Sequence, residues 1–326
     1  MFFLDKTSQD PWFNLAAEEY LLRQTDMDVF MLWENAPCLV IGKHQNPVME
    51  INASCLIDEK IPVIRRISGG GTVFHGQGNL NFSFITTSSD QEDKINFQGF
   101  TKPILDYLNS KGVQAEMTGI SNLTVNGLKF SGNAAHVFKN RSIHHGTLLF
   151  DADLKAVDRC LRKVDSSIQT KAVQSIRAQI TNLKPYFTDY MTFDVFRNEL
   201  KEFICNDFAI NEEVALKASQ RIEIQKLALN KYKTLDWNFG YSPSYQLYRN
   251  FEINGRETKI SISVNKGLIS TVTIENLNNN SFMHELQEKL VGKPHNPEAV
   301  QKLIKEISDE STLELTQSKS ILYQLF

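Results

Sequence analysis

The chain of 326 residues carries 35 basic and 38 acidic side chains, and a net charge of -3 supplies no global positive field of the kind nucleic acid requires. Hydrophobic residues at 41% and charged residues at 22%, with 16 glycines and 9 prolines, match ordinary folded proteins and exclude disordered and fibrous architectures. The opening MFFLDKTSQD reaches Asp5 after four residues, and no apolar run approaches the ~18 residues of a membrane span, so a cytoplasmic protein without a leader is expected.

In chain order, Asp10 followed by Pro11 reads as an N-cap with proline at the first helical position, and a helix is expected from Pro11 to Gln24. Val29–Trp33 and Cys38–Gly42 read as strands, as do Pro62–Ile67, Leu80–Ile85, Leu123–Ser131 around the turn Asn126-Gly127, and Ile143–Phe150, with a helix near Phe97–Lys111. Helical periods follow at Asp153–Val164, Thr192–Phe208 and Glu212–Leu229. Gly240 and Pro243 punctuate Leu235–Tyr245, the expected boundary between a domain over residues 1–240 and a smaller one over 246–326. Three antiparallel strands (Leu247–Ile253, Glu257–Val264, Leu268–Ile274), turned at Asn254-Gly255 and Lys266-Gly267, and two helices (Phe282–Leu290, Pro297–Ile307) complete the smaller domain. This order implies an α+β fold with a mixed sheet. Cys38, Cys55, Cys160 and Cys205 form no C-x-x-C pair and are expected to be reduced thiols.

The chemistry concentrates in Arg65–Phe84, RRISGGGTVFHGQGNLNFSF. Three consecutive glycines permit positive φ and close backbone approach, so amide N–H groups can face anionic oxygens, and the guanidiniums of Arg65 and Arg66 suit a phosphate or carboxylate. Gln77 and Gly78 stand where a P-loop needs Lys and Ser/Thr, and Gly69–Phe74 lacks the last glycine of a dinucleotide fingerprint. In Lys129–Ala134, KFSGNA, an ammonium beside a glycine can stabilise developing charge on a carboxylate or α-phosphate. His144 and His145, adjacent in a strand, face opposite ways and cannot readily share a metal. From Lys139 to Lys184 nine cations stand against four carboxylates, a local surplus able to receive an acidic partner or polyphosphate.

Taken together and in this order, PWFNLAAEEYLL, RRISGGGTVFH, KFSGNA and HHGTLL resemble the lipoate protein ligases of the biotin/lipoate ligase superfamily, and the tail is similar to the accessory domain of the longer ligases. The resemblance implies a two-step reaction: lipoate and ATP with Mg²⁺ give lipoyl-AMP and pyrophosphate, and a lysine of an acceptor domain then displaces AMP. It implies that Arg66 contacts a phosphate or carboxylate, and that Ser68, Gly69, Gly70, Gly71, Thr72, Val73 and Phe74 wrap the adenylate. It further implies that Lys129 bridges the lipoyl carboxyl and the α-phosphate, that His145 lines the lipoate pocket with Arg66, Gly70 and Lys129, and that Asn122 joins the nucleotide site. An amide at Asn122 is a poorer Mg²⁺ ligand than a carboxylate, which leaves the substrate phosphates to hold the ion. Thr170–Asn182 is similar to the family's adenylate-binding loop, where Lys171 and Arg177 place cations. Implied acceptors are lipoyl domains of 2-oxoacid dehydrogenase E2 subunits and the glycine cleavage H protein, with no role for nucleic acid or membrane. The competing readings are a cysteine-dependent octanoyl or lipoyl transferase, which needs an activated thiolate, a non-catalytic lipoate-binding module, and a biotin ligase. Cys160, on a stretch with apolar Val157, Leu161 and Val164, reads as a buried structural thiol rather than that nucleophile.

Overall fold

A computed structural model describes the chain except for residues 5–7, 89–94, 163–164, 254–255, 276–280 and 310–314, so the Asn254-Gly255 turn and Lys163 lie outside the described residues. The strands are β1 (Phe2–Leu4), β2 (Val29–Trp33), β3 (Cys38–Ile41), β4 (Val63–Arg65), β5 (Val73–His75), β6 (Asn79–Thr87), β7 (Ala115–Thr118), β8 (Asn122–Val125), β9 (Leu128–Phe138), β10 (Arg141–Leu149), β11 (Ile168–Thr170), β12 (Glu213–Val214), β13 (Tyr245–Ile253), β14 (Arg256–Asn265) and β15 (Leu268–Glu275). The α-helices are α1 (Pro11–Gln24), α2 (Pro47–Glu50), α3 (Ala53–Ile57), α4 (Phe97–Ser110), α5 (Leu154–Cys160), α6 (Phe193–Asp207), α7 (Ala218–Leu227), α8 (Ser281–Leu290), α9 (Pro297–Asp309) and α10 (Leu315–Gln324). By contacts the chain forms two units, the first from Met1–Lys43, Ile64–Val157 and Ile176–Lys233, the second from His44–Val63, Asp158–Ser175 and Thr234–Phe326. No helix among the described residues is long and apolar enough to cross a membrane.

The first unit is built on an eight-stranded mixed sheet, β12-β1-β2-β6-β10-β9-β8-β7. Its frame follows from local signals. Asp10 Oδ1 accepts from the Trp12 and Phe13 amides at 2.9 and 3.2 Å, so α1 starts where its cap predicts. Asn126 and Gly127, at φ 51° and 74°, make the two-residue turn that reverses β8 into β9. Phe30, Phe84, Phe150 and Phe196 are buried, and the stacked pairs Phe30–Phe84 and Phe150–Phe196 lie 4.7 and 4.8 Å apart at their ring centres in one apolar cluster. A sheet of three strands, β4-β3-β5, carries the glycine-rich connection. The helical period over Glu212–Leu229 is interrupted at its start. Glu213–Val214 adds instead to the sheet edge beside β1, helped by Phe3 N–H donating to Glu212 O at 3.0 Å, and α7 begins only at Ala218.

The second unit departs further from expectation. Its sheet has four strands, β11-β13-β14-β15, because Ile168–Thr170 pairs with Tyr245–Leu247, and α10 follows the two helices, α8 and α9, expected in the tail. α5 stops at Cys160 because tertiary pairing captures the next residues. Asn52 N–H donates to Cys160 O at 2.9 Å and Arg162 N–H to Glu50 O at 2.8 Å. The same pairing overturns the expectation of four reduced thiols. Cys55 and Cys160, 105 residues apart, come to a Cα separation of 5.4 Å and are disulfide-bonded, while Cys38 and Cys205 are free. Closing so long a loop restricts the unfolded chain. We therefore expect reduction, or Cys160→Ser, to lower the stability of this unit by about 2–4 kcal/mol. Alkylation in denaturant without reductant should label two thiols per chain; labelling of four would refute the link.

Candidate active site

The glycine-rich loop, residues 66–72, joins β4 to β5 and is held from behind. Gly70, at φ 88°, sits in the left-handed region that favours glycine. Gly42 lies so close that a Cβ there would come within 2.1 Å of Gly70 O. Lys43 N–H donates to Ser68 O at 2.8 Å, and Arg66 N–H to Ile41 O at 3.0 Å, so the end of β3 is tied to the loop at two points. Arg65, fully buried, donates to the carbonyls of Gly42 and Lys43 at 3.2 and 2.9 Å.

The Arg66 guanidinium, expected to meet an anion, is turned onto the loop itself. Its Nη2 donates to Gly69 O and Gly71 O at 2.6 and 2.8 Å, Nε to Ser68 Oγ at 3.1 Å, and Nη1 to Val40 O at 3.1 Å. In a trans peptide the C=O and the following N–H point in opposite directions. With the carbonyls of Gly69 and Gly71 drawn inward, the amides of Gly70 and Thr72 are directed away from Arg66, which is the polarity an anion cradle needs.

Lys129, near the start of β9, has its side chain arched over Gly132. A Cβ on Gly132 would lie 3.1 Å from Nζ and 3.2 Å from Cε. Burial, and then the Arg66 charge, hold the Lys129 ammonium below its usual pKa. Asn122 on β8 sits directly across from Gly132, and Ala134 lies 3.9 Å from the position of a Gly70 Cβ, so β9 runs alongside the loop. The structure thus gathers Arg66, Ser68–Phe74, Asn122 and Lys129 on neighbouring backbone.

His145 is buried and hydrogen-bonded at both nitrogens: Nε2 lies 2.6 Å from Ser68 Oγ and Nδ1 lies 2.9 Å from Glu18 Oε1. Ser83 Oγ donates to the same Glu18 oxygen at 2.6 Å and accepts from Trp33 Nε1 at 2.8 Å. His144 faces the other side of the sheet, 4.5 Å from the Phe100 ring, so the pair cannot chelate one ion. Glu18, Trp33, Ser83 and His75 did not emerge from sequence reasoning. Their signal was available in part: Asn14 and Glu18, one helical turn apart, are polar residues on the buried side of α1.

His75 Nδ1 accepts from Asn35 Nδ2 at 2.9 Å, which leaves Nε2 as a buried donor without a hydrogen-bond partner among the described residues. Burial, reinforced by the Arg66 charge, pushes the His75 pKa down to about 3 from 6.5, and burial pushes His295 of the second unit down to about 4. Both imidazoles are neutral when folded and take up protons on unfolding below pH 6.5. Stability should therefore be full above pH 6.5 and fall as pH drops toward 4, at up to about 1.4 kcal/mol per pH unit for each histidine. Denaturant midpoints between pH 7 and 4 test this, and a flat profile would refute it.

The expected adenylate-binding loop divides between the units. Lys171 is exposed in the second unit, where Val173 N–H donates to His44 O at 3.1 Å and Ser175 N–H to Glu50 Oε1 at 3.1 Å. Arg177 is exposed in the first unit, and just beyond it Lys129 N–H donates to Gln179 O at 2.8 Å and Thr181 N–H to Lys129 O at 2.9 Å. The end of this segment therefore runs along the Lys129 backbone. The cationic surplus between Lys139 and Lys184 is not one surface, because Arg159 pairs with Glu59, Arg162 with Asp165, and Lys184 with Asp151. Among the described residues the one cluster with metal-ligand geometry is Cys55, Glu59 and Cys160, whose sulfurs are joined to each other. The loop and Asn122 offer no carboxylate cage for a divalent ion.

A glycine-rich loop braced from within by Arg66, with Lys129 on the strand alongside, is an arrangement able to hold an anionic group. The profile of the lipoyl protein ligase A/B catalytic domain matches residues 10–205. The chain is 35% identical to lipoate–protein ligase 1 of Staphylococcus aureus, covering 94% of this chain and 93% of that one. It is also 35% identical to the lipoate–protein ligase LplJ of Bacillus subtilis, over 90% and 91% of the two chains. This chain belongs to the lipoate–protein ligase family. Its fold is shared with Plasmodium falciparum LipL1, solved in complex with lipoate (TM-score 0.63, 23% identity, 94% of each chain), and with a chain from the structural analysis of a bipartite Thermoplasma acidophilum lipoate protein ligase and its E2 lipoyl domain (TM-score 0.65, 22% identity, 74% of this chain and 96% of that one).

Proposed function

We propose that this protein is an ATP-dependent ligase that attaches lipoate to a specific lysine of lipoyl acceptor domains in the cytoplasm. The observation that carries the reading is Arg66 holding the Gly69 and Gly71 carbonyls inward, with Lys129 arched beside the outward amides. In the first step a lipoate carboxylate oxygen attacks the α-phosphorus of MgATP and pyrophosphate leaves. The amides of Gly70 and Thr72 and the Lys129 ammonium stabilise the charge on the phosphate and carboxylate oxygens. In the second step the acceptor amine attacks the acyl carbon, AMP leaves, and the amine loses a proton to form the amide. Ser68–Phe74 and Asn122 hold the adenylate. His145, fixed by Glu18 and Ser68, shapes the lipoate slot with Gly70, and the segment that carries Arg177 contributes its cation to the nucleotide.

Acceptors are E2 lipoyl domains and the glycine cleavage H protein; neither nucleic acid nor a membrane takes part. Residues 1–240 form the catalytic domain and residues 246–326 an accessory domain. The cysteine-transferase alternative lacks its nucleophile: Cys160 is bonded to Cys55, and burial raises the pKa of both Cys38 and Cys205. Pyrophosphate exchange into ATP that depends on lipoate, with lipoyl-AMP identified by mass, tests the reading. Acyl transfer to the acceptor without ATP would overturn it.

A further inference from the structure

A group of cations on the first unit is absorbed neither by the core nor by the amide cradle. At its centre is Glu19 on α1, whose carboxylate meets Arg23 Nε at 2.9 Å, Lys231 Nζ at 2.6 Å and the Tyr232 hydroxyl at 2.7 Å. Lys43, one residue past Gly42 and bonded through its amide to the glycine-rich loop, lies within electrostatic reach of Lys231 and His136. Arg23 Cζ stands 4.2 Å over the Phe138 ring and Lys139 Nζ 5.3 Å from the same ring, at the turn between β9 and β10. Lys233, exposed, lies 4.9 Å from the Trp12 ring centre and 4.0 Å from Asp10. Arg141 meets a further acid, Asp28. Glu19 and Asp10 thus face Arg23, Lys43, Lys139, Lys231 and Lys233. His136 records the resulting field: burial first, then Lys43 and Arg23, hold its pKa down to about 4.

Cations set on aromatic faces are held in place while keeping their hydration, a favourable state for meeting opposite charge across an interface. The positions lie on separate elements, the end of α1, the end of β3, the β9–β10 turn and residues 231–233, so the positive face is broad rather than a single phosphate-sized nest. It begins at Lys43, against the loop from which an activated acyl group would be handed on. We infer that this rim is a docking surface for an acidic face of the acceptor protein, which it orients for the second half-reaction. The inference rests on the ligase reading.

The test uses the full chain with the double substitution Lys139→Glu and Lys233→Glu, an E2 lipoyl domain as acceptor, and two readouts. Lipoate-dependent pyrophosphate exchange should stay within about twofold of the parent. The KM for the acceptor should rise about tenfold or more, with a weaker salt dependence than the parent shows, and polyglutamate should inhibit transfer but not exchange in the parent. An unchanged acceptor KM and salt slope would overturn the inference. So would a raised KM for ATP in exchange, which would assign the rim to the polyphosphate. Absence of exchange in the parent would instead strike the ligase reading itself. A melting midpoint equal to the parent's guards against misfolding, and the milder pair Lys139→Gln and Lys233→Gln should fall between parent and double reversal.

Discussion

Lys129→Ala should lower lipoate-dependent pyrophosphate exchange by about a hundredfold to a thousandfold, the usual loss when one preorganised group facing developing charge is removed. The melting midpoint should hardly move, because the Lys129 side chain lies over Gly132, which offers no side chain to pack against, and its burial already disfavours its charge. The same burial has a consequence in pH. The ammonium is held below the ordinary value of 10.5, so it is lost earlier as pH rises, and the alkaline limb of exchange should begin below that of an unperturbed lysine. Exchange near the parental rate in the alanine variant would remove Lys129 from the chemistry.

Gly42→Ala should damage the site from outside it. Its new methyl would have to occupy a point 2.1 Å from Gly70 O, and the obstacle is backbone rather than a flexible side-chain tip. Either β3 or the loop must retreat, which strains the hydrogen bonds from Lys43 to Ser68 and from Arg66 to Ile41. We expect about 1–3 kcal/mol of destabilisation, with exchange lowered through a displaced cradle. Gly69→Ala supplies the contrast in stability, since nothing lies within 4 Å of its Cβ position and its φ is not positive. Equal melting midpoints for the two variants would show that the Gly42–Gly70 approach does not fix the loop.

These expectations separate what local sequence expresses from what only three dimensions can. α1 was legible to the residue because its start is set by Asp10 and Pro11, and the β8–β9 hairpin because Asn126-Gly127 adopts its turn without help. The unusual backbone of residues 69–71 was legible too: three glycines in a row announce a chain held in close contact, as Gly42 and Gly70 are. The use made of Arg66 was not. A guanidinium can serve an outside anion or inside carbonyls, and only the fold of residues 66–72 decides between them. Glu18 was hidden because its partners Ser83 and His145 come from distant strands. β11 was missed because three residues make a strand only when Tyr245–Leu247 lies beside them, and Cys160 was read as a thiol because its partner stands 105 positions away.

The pairing of Ile168–Thr170 with Tyr245–Leu247 bears on how this enzyme could be dissected. Expressing residues 1–240 alone would strip β11 of its neighbour and leave Cys160, Glu50 and Ser175 on segments whose sheet has been removed. Such a truncated polypeptide should be prone to sticking through its raw edge, and supplying residues 241–326 as a separate peptide should restore its solubility.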